Sequence, residues 1–139
     1  MVRFRSTLRL AAALALFLSI GCGTEEPKLA AVRGKVSYRG TPLHGGTIVF
    51  TPDTLRGDDG PIARAEIQSD GSYVLKTGAF PGATPGWHRV TVVSLEEPGD
   101  VSGGRPRSLL PSRYRDPEQS GLSFQVKPGP DNVFNIDLQ

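Results

Sequence analysis

Val32-Arg-Gly-Lys-Val-Ser-Tyr-Arg-Gly-Thr-Pro-Leu-His-Gly-Gly-Thr-Ile-Val-Phe-Thr-Pro52 is the stretch that decides the fold. Val32, Gly34, Val36 and Tyr38 alternate with Arg33, Lys35 and Ser37. Ile48 and Phe50 alternate in the same way with Thr47, Val49 and Thr51. A period of two gives each segment one apolar face, so the stretch reads as two half-buried strands joined by a tight Gly/Pro connection, a hairpin. Half-buried strands need a second sheet to cover them.

The chain downstream supplies that cover. Residues 53–61 read as a loop. A strand over 62–68 follows, with Ala63, Ala65 and Ile67 on one side. Ser69-Asp70-Gly71-Ser72 is a two-residue hairpin signal in which Asp-Gly supplies the positive φ angles of a type I′ turn. It leads to a strand over 73–76 with Tyr73 and Leu75 inward. Residues 77–86 hold too many glycines and prolines for regular structure. Over 87–94, His88, Val90 and Val92 share one face, and Trp87, Arg89, Thr91 and Val93 the other. A polar loop spans 95–108 and reads as mobile, and an ordered connection spans 110–120. Strands over 122–126 and 133–138 turn Leu122, Phe124, Val126, Phe134, Ile136 and Leu138 inward. Seven short strands with frequent turn signals and no helical periodicity after Cys22 predict an all-β fold, a seven-stranded antiparallel sandwich.

The front of the chain has a different character. Arg3, Arg5 and Arg9 precede an apolar run over residues 10–20, interrupted only by Ser19. That pattern is a helical signal peptide, and the run is too short for a bilayer span, which takes roughly 20 residues. Cys22, the single cysteine, follows in the order Leu18-Ser19-Ile20-Gly21-Cys22. This resembles a bacterial lipobox, which implies a diacylglyceryl group on the Cys22 thiol and cleavage before it. The alternative is an ordinary signal peptide cut near Gly21 or Gly23. A lone thiol in an oxidising compartment favours the lipidated form. Gly23 stands where inner-membrane retention reads aspartate, which points towards the outer membrane or periplasmic face. The domain organisation is therefore a signal peptide over 1–21, a lipidated cysteine and tether over 22–31, and a β-sandwich over 32–139.

Removing residues 1–21 takes three of the sixteen basic residues, leaving thirteen against fourteen acidic ones. The alkaline character of the whole chain thus belongs to the leader. No basic cluster remains of the kind that neutralises phosphates, which argues against nucleic acid as a partner.

The mature part resembles small bacterial envelope lipoproteins with a carboxypeptidase regulatory-like domain, a transthyretin-like Greek-key sandwich. The residues that carry the resemblance at the front are Val32-x-Gly34-x-Val36, Gly40-x-Pro42-Leu43 and Gly46-x-Ile48-x-Phe50. Asp70-Gly71-x-Tyr73-x-Leu75 and Gly86-x-His88-x-Val90-x-Val92 carry it in the middle. Leu110-Pro111, Tyr114, Asp116-Pro117, Ser120-Gly121-Leu122, Val126-Lys127-Pro128-Gly129, Asn132 and Asp137-Leu138 carry it at the end. His88 departs from the pattern, which has an inward tyrosine there. The resemblance implies a non-catalytic module with no cofactor, because the domain is an appendage in the carboxypeptidases. Read physically, Pro111 and Tyr114 fix the loop that returns the chain to a sheet edge, the Tyr114 ring covering the core while its hydroxyl finds a partner.

Catalytic and metal-binding patterns are weak. His44 and His88 lie in a turn and a strand, without the three or four spaced ligands of a zinc site. Asp53, Asp58 and Asp59 fail the spacing of a calcium loop. No serine stands in a nucleophile elbow, and Cys22 is taken by its lipid. Hydroxyisourate hydrolase shares the transthyretin fold, but its Tyr-Arg-Gly-Ser ending is replaced here by Ile-Asp-Leu-Gln. The expected function is thus a structural or protein-interaction module held to the membrane by lipid, with an envelope protein or glycan as partner. Trp87 and Arg89, with outward Val49 and Val93, are the candidate binding surface, since exposed aromatics beside arginine recur in interfaces. Trp87 closing one end of the sandwich is the alternative.

Overall fold

β1 (Val32–Tyr38) buries Val32 and Val36 and stands at the centre of one of two sheets in the computed structural model, which describes residues 28–96 and 106–139. The expected signal peptide, Cys22 and the tether as far as residue 27 lie outside the described residues, as does the centre of the 95–108 loop.

The chain is an all-β sandwich. The first sheet contains β1, β2 (Thr41–Pro42), β5 (Ser72–Val74), β10 (Asn132–Val133) and β11 (Ile136–Leu138). The second runs in the order β7 (Phe80–Pro81), β6 (Lys76–Thr77), β4 (Ala63–Glu66), β3 (Thr47–Pro52), β8 (Gly86–Val93), β9 (Ser123–Val126). Alternation placed the inward residues well: Ile48, Phe50, Ala63, Ala65, Tyr73, Leu75, Val90, Val92, Val126, Ile136 and Leu138 are all buried. Burying each large side chain contributes on the order of 1.5–3 kcal/mol. Phe50 sits among rings, with centroids of Tyr73 at 6.4 Å, His88 at 6.0 Å, Phe124 at 6.2 Å and Phe134 at 6.1 Å.

Several local expectations are corrected. β1 and β3 do not form a hairpin with each other, because they belong to opposite sheets. Arg39 and Gly40, with φ of 51° and 79°, make the tight turn and return the chain only as far as β2. Two positive φ values in a two-residue loop define the type I′ turn, which favours glycine. Residues 43–46 then cross to the second sheet, where the Gly46 carbonyl accepts from the Ile67 N–H at 2.8 Å and the Gly45 carbonyl from Ser94 Oγ at 2.8 Å. At 69–72 only Gly71 has positive φ, and Gln68 closes the loop through Gly71 and Ser72, so this is a wider loop than a type I′ turn. Asp70 accepts from Ser72 N and Oγ at 2.9 and 2.6 Å, which holds its carboxyl below the usual range.

Among the described residues, eleven short strands replace the expected seven. Part of the excess comes from one extended segment that serves both sheets. In residues 72–77, β5 pairs with β1 and β6 pairs with β4, while Leu75 N–H donates to the Val32 carbonyl at 2.9 Å. The Gly- and Pro-rich segment that follows still manages a two-residue ladder, β6 with β7. The antiparallel expectation holds throughout the second sheet but not beside β1, whose pairings with β10 and β11 are parallel.

The last strand is broken at Phe134 and Asn135. In this parallel register the Phe134 carbonyl would accept from Lys35 N–H. It accepts instead from the Tyr73 hydroxyl at 2.8 Å, and Asn135 Oδ1 takes the Lys35 N–H at 3.0 Å. Gly34 makes the exchange possible, because a Cβ there would stand 1.9 Å from the Phe134 oxygen.

Candidate functional site

Pairing of β3 with β8 places Pro52 opposite His88 and so brings Asp53, the next residue, against Trp87 and Arg89. The Asp53 N–H donates to the Trp87 carbonyl at 2.8 Å. Asp53 then caps a single 3-10 turn, Thr54–Arg56, its Oδ1 accepting from Leu55 N–H at 3.2 Å. An acceptor at a helix start satisfies an N–H that has no partner within the helix. The cap also fixes where Arg56 emerges.

Asp53 is only 4% exposed, and a buried carboxylate needs cationic partners. Two are supplied: Arg89 Nε lies 3.2 Å from Oδ1 and Arg56 Nε 3.4 Å from Oδ2. The Arg56 guanidinium carbon also stands 4.0 Å over the centre of the Trp87 ring, a cation–π stack. Asp58 approaches the same strand from the loop, its Oδ2 accepting from Trp87 N–H at 2.8 Å. On the far side, Arg89 Nη1 meets Glu118 Oε1 at 3.7 Å. Between the 3-10 turn and residues 117–123 lies a cleft of about 290 Å3 with Asp53, Arg56, Arg89 and Glu118 on its walls.

Trp87 and Arg89 are thus brought together, but through Arg56 and Asp53. Trp87 is half-buried with a guanidinium on its ring, so it is not an open aromatic platform. Val49 and Val93 are half-buried, and Thr91 on the same face of β8 is buried. His88 turns into the interior, its Nδ1 3.1 Å from the Gly86 carbonyl and its Nε2 buried without a partner; burial lowers its pKa. His44 is exposed and its Nδ1 lies 2.7 Å from the Ser69 carbonyl. Asp53 and Asp58 are committed to arginines and backbone, and among the described residues no three His, Cys, Asp or Glu side chains group as metal ligands. Cys22 lies outside the described residues, and no helix among them is long and apolar enough to cross a membrane.

Arg56 and Glu118 escaped the sequence reading. The Asp53-x-x-Arg56-Gly57 order was the available signal for Arg56, since it matches a capped turn with an acid and a base three apart. Nothing local marks Glu118. Tyr114, by contrast, behaves as expected. It is buried, and its hydroxyl donates to the Gln139 carbonyl and accepts from the Gln139 N–H, both at 3.0 Å. Comparison with protein-family models, curated proteins and solved structures gave no match for the chain.

Proposed function

We propose that the protein is a non-catalytic, lipid-anchored β-sandwich of the bacterial cell envelope, a carboxypeptidase regulatory-like module that binds another envelope protein. The observation that carries this reading is Cys22, placed directly after a basic and apolar leader and joined by a short polar tether to β1. Lipid on that cysteine would hold the sandwich close to a membrane surface. The site geometry supports binding rather than turnover. The charged side chains at the Asp53 end neutralise one another, and His88 faces the hydrophobic core rather than the cleft.

A Cys22→Ser variant is expected to leave the membrane fraction and lose incorporation of labelled fatty acid. If the variant sediments with membranes as the wild type does, the anchoring claim falls. Glycan or small-ligand binding through Trp87 is the second reading, motivated by an aromatic beside two arginines. The guanidinium stacked on the indole works against it, because a sugar would need that face. Unchanged Trp87 fluorescence across peptidoglycan fragments would remove this alternative.

A further inference from the structure

Resting on the binding-module reading, we propose that the cleft between the Thr54–Arg56 turn and residues 117–123 receives an acidic side chain of a partner protein, and that Glu118 occupies it until then. Two guanidinium groups converge here on one buried carboxylate, each bringing its Nε within ion-pair distance of Asp53. Arg56, Arg89 and Asp53 alone sum to one positive charge, and the neighbouring Asp58 carboxylate is directed at the Trp87 N–H rather than at either guanidinium. Each guanidinium has terminal N–H groups left over, in the fork geometry that suits a carboxylate. Among the described residues, the contact recorded for the Arg89 terminal nitrogens is Glu118 at 3.7 Å, longer than a hydrogen bond. The Glu118 side chain is 78% exposed, so this ion pair is worth at most about 1 kcal/mol. A partner carboxylate can displace it at little cost.

The class of ligand follows from the walls. A cleft of about 290 Å3 accommodates one side chain and its neighbours. Leu55, Pro117 and Leu122 place apolar surface beside the arginines, which suits an acidic residue flanked by an aliphatic one. Glu118, following Pro117, already presents a peptide-borne carboxylate to Arg89. A sugar acid would find the ring of Trp87 covered by Arg56.

Trp87 is the only tryptophan and stacks on Arg56, so its emission reports the cleft. Full-length protein is titrated with acetyl-Leu-Glu-amide, acetyl-Leu-Gln-amide and glucuronate. The glutamyl peptide is expected to give a saturable change that weakens with salt. Glu118→Gln should tighten binding about two- to fivefold, the equivalent of an exposed ion pair, and Arg56→Gln should weaken it about tenfold. Glu118 is 78% exposed, and in Arg56→Gln the half-exposed Arg56 is replaced while Arg89 still faces Asp53, so urea unfolding of both variants is compared with wild type to separate lost binding from lost fold. Equal binding of the glutaminyl peptide, glucuronate binding as tightly as the glutamyl peptide, or unaltered affinity in Glu118→Gln each overturns the proposal. Cross-linking in intact cells separates this from the broader reading. If the peptide does not bind, yet wild type and Arg56→Gln capture the same envelope protein equally, the module stands and this cleft is not its surface.

Discussion

Tyr73 and His88 both pack against Phe50 and are both 1% exposed, yet their polar atoms end differently. Around Tyr73 the backbone has been rearranged to receive the hydroxyl. The Phe134 carbonyl leaves its ladder, Asn135 covers for it, and Gly34 gives it room. Burial raises the pKa of that phenol, which therefore stays protonated and donating. Around His88 there is no such rearrangement: one ring nitrogen meets a carbonyl of its own strand and the other meets none. A neutral imidazole tolerates this, because a lone pair without a donor costs less than a buried charge. The same core is thus insensitive to pH on one side and sensitive on the other.

Gly34→Ala should break the comparison most severely. Its Cβ would meet the backbone of Phe134, not a flexible side-chain tip, so equilibrium unfolding in urea should show a loss of about 3 kcal/mol or more. A loss below about 1 kcal/mol would mean that the carbonyl is not turned over β1.

Tyr73→Phe removes the donor and leaves the Phe134 oxygen buried, and should cost about 1–3 kcal/mol at every pH below the phenol's own titration. His88 sharpens the contrast through its pH dependence. Its folded pKa lies below the ordinary value of about 6.5, so the unfolded chain binds the proton first. Full stability is present above about pH 6.5 and is lost as pH falls towards the folded pKa, with a slope of at most about 1.4 kcal/mol per pH unit. His88→Phe should abolish that contribution while shifting stability at pH 7.5 by less than about 1.5 kcal/mol. Parallel pH profiles for the two proteins would assign the acid sensitivity elsewhere. The smallest effect belongs to Tyr114→Phe. It should cost about 1 kcal/mol and speed amide exchange at Gln139, whose N–H the hydroxyl holds.

These contrasts explain what could be read from the chain. Inward positions were legible because burial on one face of a strand writes a period of two into the sequence, as in Ile48-x-Phe50 and His88-x-Val90-x-Val92. Partnership between strands was not. Nothing in Val32–Tyr38 distinguishes a partner reached by a two-residue turn from one lying 100 residues further on, as Val36 and Ile136 do. The candidate site suffered for the same reason. Trp87 and Arg89 were visible as outward residues of one strand. Asp53 joins them through the register of β3 on β8, and Glu118 through the packing of a connection that has no periodicity to read.

The parallel pairing of β1 with β11 also has a mechanical side. The chain enters the described domain at the Val32 end of β1, and Tyr38 at its other end is beside Leu138. A pull applied between residues before Ala30 and the far end of β11 runs along both strands and loads their hydrogen bonds together, in shear. Strands joined this way resist extension as a set, whereas an antiparallel hairpin pulled at its two open ends yields one rung at a time. The topology is therefore suited to carrying tension delivered through its amino-terminal side.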